Sequence, residues 1–239
     1  MNHTFPTMGT MASLDLSGEP FDAGPVEAVF DEYDRTFSLY RADSELSRIA
    51  SGELRLTDAS EVVRSAFADA NDWRALTAGA FTPNRPDGVV DLDGIVKALA
   101  IERAGLELAG LSRWCLNVGG DVLVAPGSEW TIGIVDPVDR TRLLCSILLA
   151  GSRRAVATSG IGERGEHIWR TTSASPEELV QVTVIADDIV TADVLATAIL
   201  SGGTAFADIA TARWPIDLIT VSRADAITMT PGARSALAS

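Results

Sequence analysis

Lysine is nearly absent from this chain. Of its 239 residues 19 are basic, and only one of those, Lys97, is a lysine; the others are arginines. Set against 33 acidic residues they leave a net charge of −14, a field that excludes non-specific binding to nucleic acid or anionic membranes. An anionic small molecule would need a local cation or a metal to be held. Histidine is almost as scarce, with His3 and His167 the only two. A His-rich transition-metal centre is therefore excluded, and any metal is expected on oxygen ligands, which suits magnesium, manganese or calcium. His3 lies near a terminus expected to be mobile, so only His167 could serve a Ser–His–Asp triad. The two cysteines, Cys115 in "RWCLNV" and Cys145 in "RLLCSILLAG", lack the CxxC spacing of a zinc site and are expected on buried strands. The opening "MNHTFPTMGTMASLDL" has no basic segment followed by a long apolar run, so no signal peptide is expected. Charges interrupt every apolar stretch before about 18 residues, so no membrane-inserted helix is expected. These absences lead to a cytoplasmic protein with reduced thiols.

What is present has the balance of a globular chain, 46% hydrophobic and 22% charged. The length suits one large domain or two small ones; residues 1–239 read as one unit, with two closely packed α/β subdomains as the alternative. "MASLDLS" alternates as a strand, while "PVEAVFDEYDRTFSLY" and "ASEVVRSAFADANDWRALTAG" have the i, i+3, i+4 spacing of amphipathic helices. From "RWCLNV" to "RAVATSG" runs a series of strands punctuated by Gly and Pro turns. Strand "ELVQVTVIAD", helices "TADVLATAIL" and "TAFADIATAR", and strands in "IDLITVS" and "AITMT" follow, and the tail "PGARSALAS" is expected to fray. Segregated strands and helices predict an α+β fold of mixed and antiparallel sheets rather than a doubly wound parallel sheet.

The lone lysine is oddly placed. "GIVKALAIERAGLEL" predicts a helix opening near Gly94, on which Lys97, Ile101, Ala104 and Leu108 share one apolar stripe. An ammonium near a helix start opposes the helix dipole, so an anion is expected beside it. A second oddity is "IVTADVLATAIL", where Asp193 and Thr197 share a face of a helix that is apolar almost all round. A first-turn Asp and a Thr bonded to its own i−4 carbonyl account for the pair without function; equally, their hard oxygens suit Mg²⁺. In "SGIGERG", Gly160, Gly162 and Gly165 spell G-x-G-x-x-G, but no helix start follows, which argues against a dinucleotide fold. "CLNVGGDVLVA" places Asn117, Gly119, Gly120 and Asp121 between two strands, as a hairpin turn or a site of close ligand approach.

In order along the chain, "MGT", "FSLYRADSELSRI", "DLDGIVKALAIER", "LNVGGDVLV", "ATSG" and "ADVLATAIL" resemble the motifs of the ApbE family, the FAD:protein FMN transferases. The likeness spans most of the chain. It implies an ApbE-like, T-fold-related α+β architecture and a cavity for FAD as substrate. By position it implies a magnesium or manganese ion held by Asp193, Thr197 and the Gly94 carbonyl. Asp91 and Lys97 match FAD-contacting positions, and Met8, Tyr40, Ala80, Phe81, Thr82 and Ile168 match other flavin-site positions. Lys97, Asp193 and His167 are the implied catalytic residues, and the anion expected beside Lys97 becomes a diphosphate. Three segments depart from the family pattern: Thr82 in "GAFTP" replaces a carboxylate, "KALAIE" lacks a glycine after the lysine, and "HIWRTTS" lacks an Asp-Pro turn after His167 and Ile168. The implied activity is Mg²⁺-dependent transfer of FMN from FAD to a Ser or Thr hydroxyl of an acceptor protein, with release of AMP. A non-catalytic flavin carrier and an FAD diphosphatase are the alternatives.

Overall fold

The main sheet has eight strands, each antiparallel to its neighbours, in the order β1 (Asn2–Thr7), β2 (Thr10–Leu16), β3 (Trp114–Val118), β4 (Asp121–Val124), β7 (Ala155–Gly160), β8 (Leu179–Ala186), β9 (Asp217–Ser222) and β10 (Ile227–Met229). Between β4 and β7 the chain leaves the sheet to form a separate hairpin of β5 (Trp130–Val135) and β6 (Leu143–Leu149). The computed structural model describes residues 2–16, 21–161 and 177–238.

Strand alternation divides the interior into two cores. Leu123 of β4 and Ala155 and Ala157 of β7 face the helices, while Val122, Val124 and Val156 face the β5–β6 hairpin. The middle of the sheet is therefore covered on both sides, and β8 is buried at nearly every position as that arrangement demands. On the helical side lie α1 (Gly24–Phe37), α2 (Glu45–Ala50), α3 (Glu61–Leu76), α4 (Asp93–Glu107) and α5 (Ile189–Arg213), with α6 (Pro231–Ser235) closing the chain. Helix α5 is long and apolar enough in composition to cross a membrane. Its packing against β7, β8 and α4 accounts for that composition here. It breaks at Gly203, whose φ of 70° is non-helical, so the two helices expected from sequence are both present.

Three expectations need correction. His3 is ordered within β1, opposite Leu14, with Nε2 2.6 Å from Glu27 Oε1. The tail does not fray: Ala233 of α6 is buried, and Leu237 bridges Ile147 of β6. Both cysteines are free but only half-buried; burial still pushes the Cys115 thiol up to about 12, with the Asp15 carboxylate adding to it.

Candidate functional site

Two hairpin tips stand side by side at one end of the sheet. Thr7 pairs with Thr10 across Met8-Gly9, and Val118 pairs with Asp121 across Gly119-Gly120. All four tip residues have positive φ, the two-residue primed turn whose twist suits a hairpin. Strands β2 and β3 are neighbours, so the tips touch: the Gly119 N–H donates to the Met11 carbonyl at 3.1 Å. A Cβ on Gly119 would lie 2.8 Å from Thr10 Oγ1. Glycine at 119 thus satisfies both the turn and the close approach.

Helix α4 brings Lys97 to this point. Its stripe partners Ile101, Ala104 and Leu108 are fully buried, and Lys97 itself is 8% exposed. Its ammonium pairs with the carboxylate of Asp121, the first residue of β4 and 0% exposed. The other Asp121 oxygen, Oδ1, accepts the Thr158 N–H of β7 at 3.1 Å. The anion that sequence reasoning assigned to a bound diphosphate is therefore supplied by the protein itself. An ammonium held in a poorly hydrated interior requires a counter-charge in place before any ligand arrives.

Beside this pair opens a cavity of about 730 Å³, lined by the Met8-Gly9 tip, α1, Tyr40, Lys97 and Gly119. Its wall carries three cations, Arg41, Lys97 and Arg140, against two anions, Asp34 and Asp93. Arg41 pairs with Asp34 at 3.7 Å and Lys97 with Asp121, so two of the three cations are matched by carboxylates of the protein. Tyr33 and Phe37, four apart on α1, and the 82% exposed Tyr40 add aromatic surface. Burial, followed by the nearby Glu32 carboxylate, pushes the Tyr33 phenol above its ordinary value.

Of the residues expected at a flavin site, Met8, Tyr40 and Lys97 line this cavity, and Ala80, Phe81, Thr82 and Asp91 do not. Phe81 is buried, its N–H donating to Thr77 Oγ1, and its ring lies 2.9 Å from where a Cβ on Gly94 would stand. Gly94 is thus also a packing requirement. Ala80 approaches α5, 3.5 Å from a Cβ placed on Gly202. Asp91 Oδ1 accepts the Asp93 N–H at 3.0 Å, giving a partner to the first N–H of α4. Thr82 is exposed, its hydroxyl accepting the Asn84 N–H at 3.2 Å. His167 and Ile168 lie outside the described residues.

The two charged helices are joined by polar contacts. Lys97 meets Asp121, Asp121 meets Thr158, and the hydroxyl of the next residue, Ser159, lies 3.2 Å from Thr197 Oγ1 on α5. One turn before Thr197, Asp193 is 2% exposed. Asp193, Thr197 and Ser159 make a neighbourhood of hard oxygens, suited to magnesium or manganese. Among the described residues no cluster of three or more His, Cys, Asp or Glu side chains could hold a metal. An ion there would draw on hydroxyl and backbone oxygens besides Asp193, the kind of donor set expected from Gly94 and Thr197.

A model of the ApbE family matches residues 82–215, more than half of the chain. The chain belongs to the ApbE family. A Vibrio cholerae relative named FAD:protein FMN transferase is 25% identical over 268 residues, covering 83% of this chain and 80% of that protein. The fold is that of other ApbE proteins. The crystal structure of the ApbE protein of Thermotoga maritima superimposes with a TM-score of 0.80 at 21% identity, covering 100% of this chain and 99% of that one. The flavin transferase ApbE of Vibrio cholerae gives 0.76 at 21% identity, covering 99% of both chains.

Sequence reasoning passed over three features of this ApbE site. Asp121 stood out as part of a turn, and only the pairing of β4 with β7 gives it Lys97 and Thr158 as neighbours. Ser159, in "ATSG", gave no sign of its reach to Thr197. Arg41 and Arg140 carried no signal beyond their charge, and the i,i+4 spacing of Tyr33 and Phe37 is the signal that could have marked this wall.

Proposed function

We propose that the cavity binds FAD and that this chain is a cytoplasmic, magnesium- or manganese-dependent FAD:protein FMN transferase acting on a Ser or Thr hydroxyl of an acceptor protein. One observation carries the reading: Met8, Tyr40 and Lys97, from three distant segments, line a single cavity. Its volume of about 730 Å³ falls within the range of roughly 300–1,000 Å³ typical of small-molecule sites. Family membership and the named activity of the Vibrio cholerae relative support the same reading.

In the reaction the acceptor oxygen bonds to the phosphorus of the FMN half. The bond from that phosphorus to the bridging oxygen breaks, AMP departs with that oxygen, and the hydroxyl proton leaves to a base. Lys97, fixed by Asp121, presents a point charge to the diphosphate and stabilises the negative charge that grows on its oxygens. The two glycine-bearing tips allow the backbone close to the ligand, and Tyr33, Phe37 and Tyr40 offer aromatic surface for the flavin ring. Asp193, Thr197 and the Gly94 carbonyl would hold the metal, which when bound neutralises diphosphate charge and polarises the P–O bond. His167 and Asp193 are the candidates for accepting the hydroxyl proton.

Incubation with FAD and Mg²⁺ followed by an AMP assay tests this. AMP release is expected, falling by roughly a hundredfold or more in Asp193→Ala. A variant that keeps the wild-type metal-dependent rate defeats the assignment. Thr82, turned to solvent where the family has a carboxylate, favours the second reading of a flavin carrier, which predicts bound FAD and no AMP. AMP release with no labelled acceptor would mark an FAD diphosphatase.

A further inference from the structure

A second cavity, of about 330 Å³, adjoins the first. Arg140 lines both, and the Gly119-Gly120 tip divides them, Gly119 facing the first and Gly120 the second. Thr158, which holds Asp121 from behind, also lines the second cavity. The Lys97–Asp121–Thr158 chain thus runs from one cavity to the other.

One wall of the second cavity is the outer edge of β5, through Gly133, Ile134 and Val135. The β5–β6 hairpin has two outer edges, and they are treated differently. The β6 edge is covered by the tail: the Leu148 N–H donates to the Ala236 carbonyl at 2.7 Å and the Ala238 N–H to the Ser146 carbonyl at 2.9 Å. Ser146 and Leu148 therefore point outward and Cys145 and Ile147 point to β5, where they face Ile134 and Ile132. It follows from strand alternation that Gly133 and Val135 direct their N–H and C=O groups away from β6. Among the described residues no strand pairs with that side of β5. Its Val135 carbonyl accepts the side-chain amide of Gln181, 3.0 Å away and itself 6% exposed. An edge carbonyl tied by a buried amide is held in a fixed direction, and unpaired edges of this kind accept extended peptide segments.

We infer that the second cavity receives the acceptor: a hydroxyl-bearing segment of the acceptor protein docks in extended form on the outer edge of β5 and presents its oxygen past the Gly119-Gly120 tip to the first cavity. This rests on the transferase reading. The occupant follows from the continuity of the two cavities and from size, because 330 Å³ admits a few residues of a strand and not a second nucleotide of FAD dimensions. Main-chain pairing would supply affinity, leaving one side chain, the hydroxyl, to be selected by reach.

The test uses the full chain, FAD, Mg²⁺ and a random-sequence peptide library centred on one threonine, reading AMP release, flavin-labelled peptide and FAD affinity. Val135→Pro removes the outward N–H without touching the β5–β6 pairing, and Ile161→Trp fills the cavity from its exposed rim. The expected result is labelling by the wild type, reduced about tenfold or more in each variant, with FAD affinity within about twofold of wild type. Ile161→Trp decides the matter should Val135→Pro fail to fold. Labelling at the wild-type rate in Ile161→Trp, or a loss of FAD affinity equal to the loss of labelling, overturns the docking site alone. AMP release with no labelled peptide overturns it too, since an extended segment is then not the acceptor. FAD binding with neither AMP nor label brings down the transferase reading and this inference together.

Discussion

Helices α4 and α5 each carry one charge into the interior, and the surroundings of the two charges differ. Helix α4 is amphipathic: Glu102 and Arg103 are exposed while Lys97 sits on the buried stripe at the edge of a cavity. Helix α5 is buried all round from Ala192 to Ala196, with Asp193 2% exposed within it. Lys97 meets a carboxylate from the sheet, and one turn past Asp193 the Thr197 hydroxyl meets that of Ser159. The first charge belongs to an ion pair complete before ligand arrives. The second lies one turn from the paired Thr197 and Ser159 hydroxyls, hard oxygens of the kind magnesium takes. On the transferase reading, the cation of the first and a metal held at the second would together serve a diphosphate.

The strongest way to break this contrast is to remove Asp121. Asp121→Ala leaves the Lys97 ammonium buried without its carboxylate and the Thr158 N–H without its acceptor, and a loss of about 3–5 kcal/mol is expected in urea unfolding. The double variant Lys97→Met with Asp121→Leu replaces the pair by packed apolar groups and should recover most of that stability while losing AMP release. If Asp121→Ala unfolds at the wild-type urea concentration, the pair is not a buried ion pair in solution.

On the proposed function, metal is expected to supply the next largest effect. Saturating Mg²⁺ is expected to stabilise the wild type by about 2.7 kcal/mol at a hundredfold excess over its Kd, and Asp193→Ala by nothing measurable. Asp121→Asn should keep the Mg²⁺ response, because its defect lies at the Lys97 pair between β4 and α4. An equal thermal shift in wild type and Asp193→Ala would mean that the ion binds elsewhere.

The same contrast explains what the sequence could disclose. The stripe of Lys97, Ile101, Ala104 and Leu108 and the all-round apolar face of α5 are local periodicities, and both helices were legible from them. The partner of Lys97 was not, because Asp121 reaches it only through the register of β3 with β4 and of β4 with β7, set by strands far apart in the chain. Strand β1 escaped notice because "NHTFPT" carries a proline and alternates weakly, features an edge strand tolerates. The second cavity had no signature at all, since its most telling wall is backbone, and backbone edges leave no mark on residue type. His3 and the C-terminal tail were misjudged as mobile from position alone, when Glu27 and β6 hold them.

The finest distinction lies at Thr197. Its hydroxyl meets Ser159 across the space between α5 and β7, so it could act as a structural tie, as a metal ligand, or as both. Thr197→Val keeps the shape and removes the oxygen; the lost hydrogen bond is expected to cost about 1 kcal/mol in metal-free buffer. Thr197→Ser keeps the oxygen and should restore that loss in part. A purely structural tie would leave the Mg²⁺-induced thermal shift of Thr197→Val equal to that of the wild type. A ligand role requires Thr197→Val to need roughly tenfold more Mg²⁺ for the same shift, with Thr197→Ser close to wild type. The two variants thus separate the helix that merely packs from the helix that also binds.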